Sequence, residues 1–435
     1  MMWSADDLGA ATRGAMRVPF GADGISIDTR TLQPGDLFVA LHGEHGDGHA
    51  HVADALAKGA AGALVDRDMP GNTLLVRDTL DGLWSLGRHA RARFGGKMVA
   101  VTGSVGKTTT KEMLRTILAA VGPTYASPAS YNNQWGVPLT LARIPPGTQF
   151  CVAEIGTNHP GEIRPLSKMV RPDIAVITAI EAAHIGHFGT LEAIADEKSA
   201  IGDGLTSGGI AVLPADSPLL GRLAPRAARI DTFGLAQVVS LRPDMDGTDV
   251  EAQIENRTVQ FRVNAPGLHM VRNALAALTA ANALGIDGAA AIAGFQPVAG
   301  RGMRRELAHG IRLLDESYNA NGASMRAALT VLRDLPGRRL AVLGDMLELG
   351  VAGPGEHRAL AGDVEASADM LFTCGPLMHG LFTAVPADMR GGHAADSAAL
   401  TPIVAAAVRP GDVVLVKGSL GSRMAAIARA LEDRA

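Results

Sequence analysis

Between residues 36 and 76 short apolar runs, DLFVAL, GALV and NTLLV, alternate with the Ala-rich stretch HVADALAKGA. Apolar runs bounded by turn residues read as buried strands and apolar positions at helical spacing as helices, so this segment predicts a small α/β unit. Its last helix is expected from Asp78 to Phe94. Gly95 and Gly96 then break the chain before a new apolar strand, Met98 to Val101, and the first boundary falls there. Strand-like runs recur at FCVAEI (150–155), DIAVIT (173–178) and IAVL (210–213), with helices between them. That is the pattern of a parallel sheet covered on both faces, with ligands at the carboxyl ends of its strands. A long Ala-rich helix, Met270 to Leu284, leads into FQPVAGRG, whose proline and glycines set a second boundary near Gly300. RLAVLGD and DVVLVKGS are strands of a third α/β unit. The expected domains are therefore 1–95, 96–300 and 301–435, and a chain of 435 residues is indeed long for one core.

Composition narrows the classes. With 47% hydrophobic and 19% charged residues the chain can fill several cores, and no segment is disordered in composition. A net charge of -4 shows no basic surplus, so nucleic acid is not an expected partner. Cys151 and Cys374 lie far apart and form neither a disulfide framework nor a metal knuckle, which fits a reducing cytoplasm. The N-terminus lacks a signal-peptide pattern, and no run approaches about 18 uninterrupted apolar residues. A soluble cytoplasmic protein with no integral membrane segment, and a monomer, is expected.

The chemistry concentrates in MVAVTGSVGKTTTKEMLRTILAA, an apolar strand, a glycine turn, and a helix with Met113, Leu114, Ile117 and Leu118 on one face. Strand, glycine turn and helix is the setting of a phosphate-binding loop. Gly103, Ser104, Val105, Gly106, Lys107, Thr108 and Thr109 would surround a nucleotide: backbone N–H groups close on phosphate oxygens, Lys107 reaches the β and γ phosphates, and Thr108 ligates Mg2+. The loop is short, since Val101 stands where the fuller GxxxxGK spacing needs glycine.

Glu154, at the carboxyl end of FCVAEI, can face that Mg2+. His184, in ITAIEAAHIGHFGT, is the candidate for a second metal position, with His187 close enough to compete. Lys198, in LEAIADEKSAIGDGL, reads from its neighbours Asp196 and Glu197 as a surface lysine. HGEHGDGHAH carries His42, His45, His49 and His51, but four histidines among three glycines lack fixed metal-site spacing, so ligand contact or a plain loop is favoured over zinc.

TGSVGKTTTKEM, YNNQWGVPLT, EIGTNHPGEI, ITAIEAAHIGHFG, DESYNAN, LGDMLELG and LVKGSLGSRM together resemble the ATP-dependent Mur ligases, in order and over nearly the whole chain from Ser26 to Lys417. The resemblance implies three domains: a UDP-sugar domain, a central ATP-binding domain with a phosphate loop on a parallel sheet, and a Rossmann-like C-terminal domain. It implies Thr29 and Arg30 at the UDP-sugar, Asn133 in the muramoyl-binding loop, and Asn273 and Arg301 at the nucleotide. Asp315, Tyr318 and Asn319 would face ATP. It implies two Mg2+ ions and a carbamylated Lys198 that helps hold the second, a modification that needs a neutral amine. This sequence departs from the family at Met270, where an amide near adenine is usual, and at Glu316, where a second Asp would stand.

DESYNAN and NNQWGVPLT point to the member acting on UDP-MurNAc-tripeptide and D-alanyl-D-alanine in peptidoglycan synthesis. The expected course runs through an acyl phosphate and ADP, with Lys107 and metal offsetting charge between two anions. The alternatives are a ligase adding one amino acid, an earlier Mur step or a folylpolyglutamate synthetase, and, from another class, a nucleotide-dependent switch.

Overall fold

The computed structural model describes residues 1–43, 46–128, 130–182, 185–224, 227–244 and 246–433. A central sheet of six parallel strands runs in the order Arg229–Phe233, Ile210–Pro214, Ile174–Ile177, Lys97–Thr102, Phe150–Glu154 and Thr124–Ala126. Lys97–Thr102 is apolar almost throughout because its two faces serve two different cores. Val99 and Val101 pack with Met113, Leu114, Ile117 and Leu118 of the helix Lys107–Ala119 and with the helix Leu268–Ala283. Met98 and Ala100 point the other way, into the cluster of Ile163, Leu166 and Val170 from the helix Ile163–Val170.

One element was not expected from the sequence. Val238–Pro243, Thr248–Ile254 and Arg257–Val263 form an antiparallel three-stranded sheet. It buries one face only, through Val250, Ala252, Ile254, Val259, Phe261 and Val263. Strands covered on one face alternate apolar with polar residues instead of running apolar, and VEAQIENRTVQFRV carries that alternation.

The N-terminal sheet has the order Ala15–Met16, Thr73–Leu75, Gly62–Val65, Asp36–Val39 and Gly24–Ser26, parallel except for its first pair. Its closing helix is Thr79–Arg93, where the Asp78 carboxylate accepts the backbone N–H of Asp81 as N-cap. This core continues into the central part. Trp3, fully buried, donates its indole N–H to the Ala142 carbonyl at 3.1 Å, and Leu139 and Ala142 of the helix Gly136–Ala142 share its cluster.

The C-terminal sheet runs Met303–Glu306, Arg312–Glu316, Val413–Lys417, Arg339–Gly344, Met370–Cys374 and Arg390–Ala394, antiparallel only at the first pair. Among the described residues no helix is long and apolar enough to cross a membrane.

Both cysteines are buried, and desolvation pushes each thiol up to about 12. A thiolate-selective disulfide reagent at neutral pH is therefore expected to find no fast-reacting thiol in the folded protein and two after denaturation. A rapid native reaction, followed by absorbance, would contradict the burial of both.

Candidate active site

The turn between Lys97–Thr102 and Lys107–Ala119 depends on two glycines in the left-handed region. Gly103 has φ 149° and Gly106, the helix N-cap, φ 82°. A Cβ on Gly106 would lie 2.3 Å from the Asn273 side-chain oxygen, and one on Gly103 would collide with the Thr178 hydroxyl. The loop is pinned from the next strand: Ser104 N–H donates to the Ala179 carbonyl at 2.8 Å, and the Ser104 hydroxyl donates to the Glu181 carbonyl at 2.9 Å. The first-turn N–H groups of the helix, which have no partner within it, are left to face the cavity. Lys107 folds back, donating to the Gly103 carbonyl at 2.8 Å. Burial lowers the proton affinity of its amine; Glu154 opposes this and Arg301 adds to it.

Glu154, 1% exposed, ends its strand facing the loop. The Thr108 hydroxyl donates to one carboxylate oxygen at 2.8 Å and the Asn132 amide to the other at 2.8 Å. The Ser130 hydroxyl lies 3.0 Å from that of Thr108. Two hydroxyls and a carboxylate at a phosphate loop form the hard oxygen set that suits Mg2+.

The C-terminal sheet closes the cavity from the other side. Arg301 stacks 4.0 Å over the Tyr318 ring and donates to the Ser130 hydroxyl at 3.0 Å. Lys417, 2% exposed, donates to the Asn319 carbonyl at 3.0 Å and reaches Glu316 at 3.5 Å. Burial lowers its proton affinity against the pull of Glu316. The cavity so enclosed measures about 470 Å³ and is lined by loop residues Ser104 to Thr109 together with Glu154, Asn273, Arg301, Tyr318, Asn319 and Lys417.

Other expected residues fall elsewhere. Asp315 does not line the cavity; its buried carboxylate accepts the backbone N–H of Gly300 at 3.0 Å and the Ser317 hydroxyl at 2.6 Å, so it organises the hinge. Asn133 is exposed and accepts the Trp135 and Gly136 N–H groups at the start of Gly136–Ala142, whereas its neighbour Asn132 is the one on Glu154. Thr29 and Arg30 stand in the N-terminal unit away from this cavity, Arg30 paired in bidentate fashion with Asp28. His184 lies outside the described residues; His187 is exposed and packs 4.6 Å from the His159 ring.

Lys198, on the helix Leu191–Ser199, is not at the surface as its neighbours suggested but 2% exposed. Burial drives its amine well below the usual value, the Lys107 charge pushes further, and Glu197 opposes. Glu197 is itself engaged by the N–H groups of Gly161 and Ile163. Lys198 does not line the cavity.

Reading by sequence missed Lys417 as a site residue, and with it Ser130, Asn132, Glu181, His269 and Arg272, all on the cavity wall. Adjacent asparagines in YNNQW gave a signal without saying which one turns inward. Met270 lines the wall too, close against Gly302, an apolar surface where an amide was usual.

A phosphate loop at the carboxyl edge of a doubly wound sheet, opposed by a second sheet's cations, defines a nucleotide-using α/β protein. Three family models match in succession: Mur ligase family, catalytic domain (22–91), Mur ligase middle domain (101–281) and Mur ligase, glutamate ligase domain (300–420). The chain belongs to the Mur ligase family. It is 36% identical to UDP-N-acetylmuramoyl-tripeptide–D-alanyl-D-alanine ligase of Escherichia coli (strain K12), over 94% of each chain. A crystal structure of MurF from Acinetobacter baumannii superposes with a TM-score of 0.88 at 31% identity, covering 99% of both chains. MurF of Thermotoga maritima in complex with ADP matches with a TM-score of 0.82 at 28% identity, over 95% of this chain and 98% of that one.

Gly106→Ala should weaken ATP binding at least about tenfold, since strain of roughly 1–2 kcal/mol for an L residue in this region adds to the collision with Asn273. Calorimetric titration with ATP checks this, and unchanged affinity would remove the turn from the binding site.

Proposed function

We propose that the protein is an ATP-dependent ligase that joins D-alanyl-D-alanine to UDP-N-acetylmuramoyl-tripeptide, giving the UDP-MurNAc-pentapeptide used in peptidoglycan synthesis. The observation that carries this reading is one cavity in which the phosphate loop, Glu154, Arg301 and Lys417 converge, in a chain matched end to end by ligases of that name. In the proposed division of labour residues 1–95 hold the UDP-sugar, 96–300 hold ATP, and 301–435 close over both. The reaction belongs to the cytoplasm, and the working unit is proposed to be a monomer.

The tripeptide's terminal carboxylate attacks the γ phosphorus of ATP, and the bond to the bridging β–γ oxygen breaks, giving an acyl phosphate and ADP. The neutral amine of D-alanyl-D-alanine then adds to the acyl carbon. The tetrahedral intermediate expels inorganic phosphate as the nitrogen loses its extra proton. Two anions must approach each other in the first step, so the work falls on cations held in place. Lys107 leaves the Gly103 carbonyl to donate to phosphate, while Arg301 and Lys417 hold charge on the opposite wall. Thr108, Glu154 and Ser130 would hold one Mg2+, which when bound neutralises phosphate charge. A second Mg2+ was expected at His184 and Lys198; the described residues assemble no donor set for it.

The relatives lend the carbamate on Lys198 no support; its support is the buried, desolvated amine alone. Carbon-13 bicarbonate added to the protein should then give a carbamate resonance that Lys198→Arg removes. Absence of that resonance during full turnover would dismiss the modification and leave the ligase reading intact.

Purified protein with ATP, Mg2+ and both substrates should release ADP and phosphate in step with UDP-MurNAc-pentapeptide. Lys107→Met should lower kcat by about 10²–10³-fold or more. Hydrolysis without pentapeptide, or a single amino acid preferred over D-alanyl-D-alanine, would overturn the assignment.

A further inference from the structure

The histidine-rich segment that the ligase chemistry does not use is brought by the fold against a residue far from it in sequence. His42 and Asp47 lie on a two-stranded hairpin, His42–Gly43 paired with Gly46–Asp47, and His49 follows in the short turn of helix Gly48–His51. Asp66 comes from just beyond the strand Gly62–Val65. One ring nitrogen of His42, one of His49 and a carboxylate oxygen of Asp66 all lie within 4.8 Å of one another.

We propose that His42, His49 and Asp66 form a binding site for a divalent transition-metal cation of the zinc class, separate from the phosphate-loop cavity. The Asp66 carboxylate spans the two rings, one oxygen 2.7 Å from His42 Nε2 and the other 3.0 Å from His49 Nε2. Ligand atoms of a tetrahedral zinc site stand roughly 3.3 Å apart, given bonds of about 2.0–2.2 Å, so small outward shifts admit the ion. His49 is fixed as a metal ligand needs to be: its side chain is fully buried, and Nδ1 lies 2.6 Å from Asp47, which orients the ring and leaves Nε2 toward Asp66. Asp47 is held in turn by Arg67 at 2.6 Å. A divalent cation would replace both the His42–Asp66 contact and the Asp66 backbone N–H that His49 Nε2 accepts at 3.2 Å, drawing on two rings whose centres are 5.1 Å apart.

The site has three protein ligands and one side open to solvent through His42, which is half-exposed. It would tie the hairpin to the end of the strand Gly62–Val65. The hairpin also borders Trp135 of the central part, since a Cβ on Gly43 would lie 3.6 Å from its ring. An anion fits the pocket badly, because the nearby guanidinium of Arg67 is already paired and two carboxylates face inward.

The test uses the full chain, freed of metal by chelator and titrated with Co2+ alone in the presence of excess Mg2+ and ADP, which occupy the phosphate-loop site. One equivalent should bind with the visible absorption of a four-coordinate ion, be displaced by Zn2+, and raise the unfolding temperature. His42→Asn and Asp66→Asn should each abolish all three effects while metal-free unfolding stays that of the parent. Binding that survives both substitutions, or no binding in the parent, overturns the proposal. Should the variants fail to fold, X-ray absorption on the parent's zinc complex decides: two imidazole shells support the site, and oxygen ligands alone overturn it.

Discussion

Positive charge held out of water is the constraint on which this protein is built. Lys107 and Lys417 lose proton affinity through burial, and Arg301 stands between them on the same cavity. Like charges gathered on one cavity repel each other, and the same field attracts an incoming anion. Glu154 beside Lys107 and Glu316, 3.5 Å from Lys417, offset part of that charge, and a triphosphate supplies the rest before a second anion, the acceptor carboxylate, has to be admitted.

Backbone geometry keeps these charges in place. Each of the two large sheets presents strand ends to the cavity, Glu154 from the central sheet and Glu316 and Lys417 from the C-terminal one. The chain passes between them at Gly300 and Arg301, where the Asp315 carboxylate takes the Gly300 N–H and the Gly300 carbonyl takes the Tyr318 N–H. Satisfying those buried groups fixes the hinge, and leaving one unpaired would cost about 1–3 kcal/mol. Asp315 therefore serves the site from behind, by setting where Arg301 and Tyr318 stand.

What could be read from the chain follows from which signals are local. The strand Lys97–Thr102, its glycine turn and its amphipathic helix are contiguous, and each advertises its role through spacing alone. The antiparallel sheet of residues 238–263 also left a period of two, overlooked beside the stronger apolar runs of the parallel strands. Orientation was the harder matter. Nothing in YNNQW distinguishes the asparagine that holds Glu154 from the one that accepts the Trp135 and Gly136 N–H groups, because only the packed turn turns one inward. Lys198 beside Asp196 and Glu197 looked solvated; it is buried, and Glu197 is drawn off to accept the Gly161 and Ile163 N–H groups, a contact between distant segments. His49 and Asp66 are likewise neighbours only in the fold.

One hydroxyl joins the two halves of the site. Ser130 lies 3.0 Å from the Thr108 hydroxyl and accepts from Arg301 at the same distance, so the phosphate loop and the hinge arginine share a single partner. If Thr108 turns an oxygen lone pair to a cation, its proton stays available to Glu154, and the same cation would draw on Ser130, the hydroxyl that accepts from Arg301. The binding of nucleotide with metal and the docking of the C-terminal sheet then cease to be independent, because each alters the hydrogen bonds available to the other. Their coupling needs no long pathway, since three side chains in contact suffice. A ligase that must not release its acyl phosphate to water gains from such an arrangement: the wall that carries Arg301 and Lys417 is steadied by the same event that brings the phosphates in.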